Sequence, residues 1–330
     1  RLHGRGQQVV IVSSGAIAVG RRHLNFTDGN LRLEEKQAAA ATGMVRLAHA
    51  YQEELARHDL TVAQVLMTLD DSENRRRYIN ARNTLETLLR LGAVPLINEN
   101  DTVATDEIRL GDNDRLGARV AAMVSADTLI LLSDVDGLYT ADPSRDKSAT
   151  VVPEVHEITP EIEAMAGQSK SSVGTGGMVT KLAAAKVAMG AGCRMVIANG
   201  HELGSVTRIE DGAPCTWFIP KANPRTARKH WIAGTLSPSG KLIVDDGALS
   251  ALESGKSLLP AGVTGAEGDF HKGDAVIVVD GAGREVARGL VAYSAGEARL
   301  LIGHKSSEIE DLLGYRGADE LIHRDDLVLS

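Results

Sequence analysis

The feature that most constrains this 330-residue chain is an alternation: short β-branched runs are separated by long Ala- and Leu-rich segments over its first two thirds. The runs Val9–Val12, Thr61–Met67, Val94–Ile97, Thr128–Leu132 and Arg194–Ala198 read as strands. Between them Gly15–Arg22, Leu33–Arg57, Arg75–Leu91, Asp112–Ser125 and Gly177–Gly190 read as helices. Strands apolar on both faces, separated by helices, fit a parallel sheet that is covered on two sides. The expected fold class is therefore α/β, a three-layer sandwich with a mostly parallel sheet. Ligands of such sheets sit at the carboxyl ends of the strands, in the loops that lead into helices.

Beyond Pro220 the rhythm changes. Lys241–Val244, Ala275–Val279, Val286–Val291 and Leu300–Ile302 read as short strands with turns such as Asp280-Gly281-Ala282-Gly283, and one helix, Asp246–Ser254, interrupts them. That pattern fits a small β-barrel. The expected organisation is a first domain at residues 1–222, a linker at 223–237 and a second domain at 238–330.

Charge and cysteine usage narrow the function. With 44 acidic against 36 basic residues and a net charge of -8, the chain is poorly suited to live on nucleic-acid phosphates. From Asn223 onward the balance is 12 basic to 16 acidic, so the second domain is not a basic arm either. Two cysteines, Cys193 and Cys215, rule out a disulfide scaffold or a cysteine zinc site and fit a reduced, cytoplasmic setting. No apolar run approaches the roughly 18 residues that a membrane span needs. Two look-alikes fall away. The stretch Ser250 to Ser257 resembles a phosphate loop but lacks its first glycine and follows a helix. His323-Arg324-Asp325 echoes a protein-kinase catalytic loop, without the downstream metal-binding residues.

Four loops carry candidate chemistry. Ser13-Ser14-Gly15 follows an apolar strand and opens a helix, which turns backbone N–H groups and a hydroxyl toward an anion. The segment from Asn98-Glu99-Asn100-Asp101 to Asp112-Asn113-Asp114 is dense in carboxylates and amides, suited to an ammonium group, a Mg²⁺ ion or lysines that need orienting. Ser133-Asp134-Val135-Asp136-Gly137-Leu138-Tyr139 follows the most apolar strand and can close over a nucleotide base and ribose. Gly174-Thr175-Gly176-Gly177-Met178-Val179-Thr180-Lys181 lets backbone approach phosphates and places Lys181 in the first helical turn as a point cation.

In this order, Ser-Gly-Ala-Ile, Ile-Asn-Glu-Asn-Asp, Gly-Asp-Asn-Asp, Asp-Gly-Leu-Tyr-Thr-Ala-Asp-Pro and Gly-Thr-Gly-Gly-Met-Val-Thr-Lys resemble the glutamate 5-kinases of the amino acid kinase family. The tail, with Leu258-Leu259-Pro260-Ala261-Gly262-Val263 and Gly268-Asp269-Phe270, resembles their appended PUA domain. The resemblance implies an amino acid kinase-like sandwich and ATP-dependent phosphorylation of the L-glutamate γ-carboxylate to glutamyl 5-phosphate, the first step of proline biosynthesis. By position it implies that Ser14, Asp101 and Asn113 bind glutamate. Ser133 and Asp134 would contact the nucleotide, Thr175, Gly176, Gly177, Met178, Val179, Thr180 and Lys181 would form the ATP loop, and Asp114 would be the acid that positions the phosphate-binding lysines, with Lys181 and Asp114 the catalytic residues. Mg²⁺ would come with ATP, proline would inhibit by feedback, and the protein would be a homo-oligomer, a dimer or tetramer. A carboxylate is already ionised at pH 7, so such a kinase needs positioning and cations more than a general base.

The competing readings are kinases of aspartate, acetylglutamate, carbamate or UMP on the same scaffold, and an RNA-binding regulator that uses the PUA-like domain. The family also opens with a strand, a Gly/Ser turn and a phosphate-binding lysine, to which nothing before Arg1 corresponds. That departure leads to the expectation that the chain as written is nearly inactive and less stable than a longer form.

Overall fold

A computed structural model describes residues 1–26, 31–103, 112–166, 177–235 and 238–330. Its contacts divide the chain into Arg1–Lys221 and Ala222–Ser330.

The first unit begins with β1 (Ile11–Val12), α1 (Ala16–His23), α2 (Leu33–Ala56), β2 (Val62–Met67), α3 (Leu69–Glu73), α4 (Arg75–Arg90) and β3 (Val94–Glu99). It continues with α5 (Asp112–Met123), β4 (Thr128–Ser133), β5 (Glu154–Val155), α6 (Pro160–Met165), α7 (Met178–Gly190), β6 (Arg194–Asn199), α8 (Ser205–Glu210) and β7 (Cys215–Phe218). The strands form two sheets, in the orders β1-β3-β2 and β4-β6-β7-β5. All pairings are parallel except β6 with β7. Strand β3 is central to its sheet and buried from Val94 to Asn98, as expected of a strand covered on two faces. Helix α5 packs against strands of both sheets, β3 and β4, and against α7.

Local sequence explains the helix starts. Asn74 Oδ1 accepts from the Arg77 N–H at 3.2 Å to open α4, and Glu35 Oε2 accepts from the Arg32 N–H at 2.8 Å to open α2. Helices α1 and α2 touch backbone to backbone. A Cβ on Gly20 would lie 1.7 Å from the Ala39 carbonyl oxygen, and one on Gly43 1.8 Å from that of Ala16. Only glycine permits this approach. Separate cores back the two sheets: Met67, Leu85, Ile97, Leu116 and Met123 in one, Leu138, Leu182, Met195, Ile197 and Phe218 in the other.

The second unit comprises α9 (Pro224–Thr235), β8 (Gly240–Val244), α10 (Asp246–Glu253), β9 (Val263–Gly268), β10 (Ala275–Val279), β11 (Glu285–Leu290), α11 (Ala295–Leu301), α12 (Ile309–Leu313) and β12 (Leu327–Leu329). Its strands make a five-stranded mixed sheet in the order β12-β11-β10-β8-β9 over a core that includes Leu242, Val276, Val278, Tyr293 and Ile322. Two expectations differ from what is observed. Residues 300–302 do not form a strand: Leu300 and Leu301 end α11, because Ser294 and Glu297 form a reciprocal cap and Ala298 and Leu301 face the core at helical spacing. Residues 224–235, within the expected linker, form α9. Asn223 caps it, Ile232 packs with Ala275 and Leu290, and Arg228 Nε donates to Asp326 Oδ1 at 3.0 Å.

Candidate active site

The carboxyl ends of β1 and β3 are adjacent and tied together. The Ser13 N–H donates to the Ile97 carbonyl at 2.9 Å, and Asn98 Nδ2 donates to the Ser13 carbonyl at 2.8 Å. Gly15 then adopts φ 95°, a left-handed conformation that turns the chain directly into α1 and leaves Ser14 exposed at the bend. The free N–H groups of the first turn of α1 open toward the same end.

Beyond β3 the chain turns at Asn100, whose N–H donates to the Met67 carbonyl at 2.8 Å and whose Oδ1 accepts from Thr102 Oγ1 at 2.8 Å. This turn carries Asp101 inward to 8% exposure. Burial raises its carboxyl above the ordinary 3.8, and among the described residues no cation or donor meets it. Asn98 Oδ1 and Asn113 Oδ1 are also buried without a hydrogen-bond partner among the described residues. Unmet acceptors at one strand end and one helix start form a set that a donor-rich ligand would complete.

In the first turn of α5, Asp114 reaches across to α7. Its Oδ2 lies 2.9 Å from Lys181 Nζ, with the side chains only 18% and 10% exposed. Thr180 Oγ1 donates to the Gly177 carbonyl at 2.7 Å and lies 3.2 Å from the same carboxylate oxygen. The lysine is thus fixed by charge and packing before any ligand arrives. Val179, on the outward side of that turn, is exposed.

At the ends of β4 and β6, Ser133 and Asn199 are paired in register, and Ser133 Oγ donates to Asp134 Oδ1 at 3.0 Å. The loop that follows is braced. Asp136 accepts from Asn199 Nδ2 at 3.1 Å and from the Tyr139 hydroxyl at 3.0 Å. Burial, and then that bond to Asp136, raises the Tyr139 hydroxyl above its ordinary value and keeps it a donor. The Leu138 N–H donates to Thr216 Oγ1 at 2.8 Å, and a Cβ on Gly137 would lie 2.4 Å from that oxygen.

Residues 1–199 match the amino acid kinase family and residues 240–313 the PUA domain. A glutamate 5-kinase of Paramagnetospirillum magneticum is 65% identical over 98% of this chain and 88% of its own length. Another, of Rhodospirillum rubrum, is 62% identical over 100% of this chain and 88% of its own length. The chain belongs to the amino acid kinase family, among its glutamate 5-kinases. A carbamate kinase of Giardia lamblia bound to AMP-PNP is similar at 15% identity and a TM-score of 0.46, over 67% of this chain and 86% of that one.

Within this kinase fold, Ser14 and Asp101 stand at neighbouring strand ends, Asn113 and Asp114 open α5, and Asp114 meets Lys181. Ser133 ends β4 in the other sheet and Asp134 follows it, and among the described residues no hydrogen bond joins them to Lys181. Gly177, Met178, Val179 and Thr180 form the start of α7. Thr175 and Gly176 lie outside the described residues. Nothing in the sequence singles out Asn199 and Thr216, and Asp136 and Asn98 stand in it only as loop members. Asn98 and Asn199 each stand as a polar residue at the end of an apolar strand, a signal that many capping residues share, whereas Thr216 lies within β7 and Asp136 in the loop after β4.

Proposed function

We propose that the chain transfers the γ-phosphoryl group of ATP to the γ-carboxylate of L-glutamate, giving glutamyl 5-phosphate and ADP as the first step of proline biosynthesis. A carboxylate oxygen forms the new P–O bond as the bond to the ADP oxygen breaks, and no proton need move. The observation that carries the substrate assignment is Asp101, a buried carboxylate without a cation among the described residues, beside an anion-accepting turn. Its partner on this reading is the substrate ammonium. Ser14, the side-chain NH2 of Asn113 and the N–H groups at the start of α1 hold the carboxylates.

Lys181, preset by Asp114, faces the charge on the transferring phosphoryl group, while residues 175–180 cradle the phosphates and Ser133 and Asp134 contact the nucleoside. Mg²⁺ fits as part of the ATP substrate. It is commonly held by phosphates with one or two protein carboxylates, and among the described residues no group of three or more acidic, His or Cys side chains makes a cage for it. Bound there, it would offset charge on the triphosphate. Proline shares an α-carboxylate and an ammonium with glutamate, which supports inhibition by competition at Asp101 and Ser14. A cytoplasmic homo-oligomer, dimer or tetramer, completes the reading. Among the described residues no helix is long and apolar enough to cross a membrane.

The test is hydroxylamine trapping of an ATP-dependent acyl phosphate from glutamate, aspartate and N-acetylglutamate. Glutamate should give the hydroxamate. N-acetylglutamate, which lacks the ammonium, should be rejected by at least about 10²-fold, since it would leave Asp101 unpaired. Equal product from N-acetylglutamate would overturn the assignment.

A further inference from the structure

The brace behind the Ser133–Asp134 pair contains a residue with no assigned part. Asn199 is the last residue of β6, level with Ser133 across the parallel ladder. Its Oδ1 accepts from the His201 N–H at 2.9 Å, which fixes the side-chain rotamer against its own turn. Its Nδ2 donates to Asp136 Oδ1 at 3.1 Å, two residues beyond Asp134. The next residue, Gly200, donates its N–H to the Ser133 carbonyl at 2.8 Å, and a Cβ there would lie 2.9 Å from Leu132 Cβ. The β6 turn thus holds the β4 loop at both ends of the Ser133–Asp136 bend. Tyr139 locks the second oxygen of Asp136 from the far side.

A single amide with one end fixed to its own backbone and the other on a loop carboxylate is a spacer of set length. Alanine would release the carboxylate. An acid would place two carboxylates about 3 Å apart, where like charges repel. We propose that Asn199 is a positioning residue for the nucleotide: it acts through Asp136 to set Ser133 and Asp134 against ATP and does not act on glutamate. Glutamate is assigned to the other sheet, at the ends of β1 and β3, so the two substrates should respond differently. This inference rests on the nucleotide reading of Ser133 and Asp134 given above.

The experiment measures steady-state KM for ATP and for glutamate, with thermal unfolding, in the wild-type chain and in Asn199→Ala, Asn199→Asp, Asp136→Ala and the Asn199→Ala/Asp136→Ala double variant. Loss of a hydrogen bond to a charged group, felt at one remove, should raise KM for ATP about tenfold in Asn199→Ala and more in Asn199→Asp. KM for glutamate should stay within about twofold, and the double variant should be no worse than Asp136→Ala, because both act through one contact. An equal rise in both KM values, or a lowered melting temperature with unchanged KM for ATP, would overturn the positioning role. Additive effects in the double variant would overturn the route through Asp136. A wild-type chain that makes acyl phosphate from N-acetylglutamate, yet shows the ATP-selective effect of Asn199→Ala, would count against the glutamate assignment and leave the positioning role standing.

Discussion

Replacing Asp114 by Asn keeps the shape of the α5–α7 contact and removes its charge. At 2.9 Å and an effective dielectric of about 20, the gross attraction to Lys181 is about 6 kcal/mol. Desolvation of two mostly buried ends offsets much of that, so the intact pair contributes little net stability. Removing one partner is another matter, because it leaves an ammonium buried without a counter-charge, at a cost of about 3 kcal/mol. For a unit of this size that corresponds to roughly 6–12 °C in melting temperature. A lysine free to leave its post should also stabilise the transferring charge less well, lowering kcat by about 10²-fold. Thermal unfolding and hydroxamate formation at saturating substrate measure the two effects. The decisive comparison is the double variant Asp114→Asn/Lys181→Met. It should be more stable than Asp114→Asn alone, because no orphan charge remains, yet no more active. Strictly additive stability losses, or a kcat within twofold of wild type in Asp114→Asn, would refute this reasoning.

Asp101→Asn should raise KM for glutamate by about 10²-fold, as expected when a charge-assisted contact is lost, with a smaller change for ATP. Because burial lifts the Asp101 carboxyl above the ordinary 3.8, its protonated form supports the fold below that value, and the contribution is lost as pH rises through the raised one. Melting curves taken from acid to neutral pH should therefore show Asp101→Asn no less stable than wild type at neutral pH, and a destabilised variant there would contradict the unpaired-charge account. Gly43→Ala puts a Cβ 1.8 Å from the Ala16 carbonyl oxygen; parting α1 from α2 should cost about 3 kcal/mol, read by chemical denaturation. A chain ending at Lys221 should still bind ATP by calorimetry, since every candidate ATP residue precedes the boundary at Lys221; a folded fragment without ATP affinity would place part of the site in the second unit.

The layered part of the fold was legible because its signal is repeated. Five apolar runs each overlap an observed strand, though only Ile11–Val12 of the first run is paired, and the helices between them begin within a residue or two of expectation, since capping residues such as Asn74 announce them. What escaped lies where local signals conflict with tertiary ones. Leu300–Ile302 is β-prone as a tripeptide, and the Ser294–Glu297 cap six residues earlier decides for helix. Pro224 reads as a linker residue by composition, yet it stands at the first position of α9, where its missing N–H costs nothing. The short strands β5, β7, β9 and β12 do not stand out in the sequence, and the two-residue β5 is too brief for any periodicity to show.

The candidate site divides along the same line. Residues that would touch ligands stand out in sequence because their types are unusual for their places: glycines in series, a lysine in a helix start, carboxylates and amides crowded after a buried strand. Residues that hold those groups in place are ordinary. Asn98, Asn199 and Thr216 each sit at or near a strand terminus, where a polar residue is common, and each takes its role from a partner 63 to 85 positions away. No window along the chain contains such a contact. For Asn98 and Asn199 it exists only once the parallel ladders bring the carboxyl ends of β1 and β3, and of β4 and β6, to common levels, and for Thr216 only once β7 pairs with β6. The parallel arrangement therefore does more than bury apolar surface. It places the strand ends side by side, so that one amide can span two neighbouring turns, and a carboxylate kinase that relies on position rather than proton transfer depends on such spans.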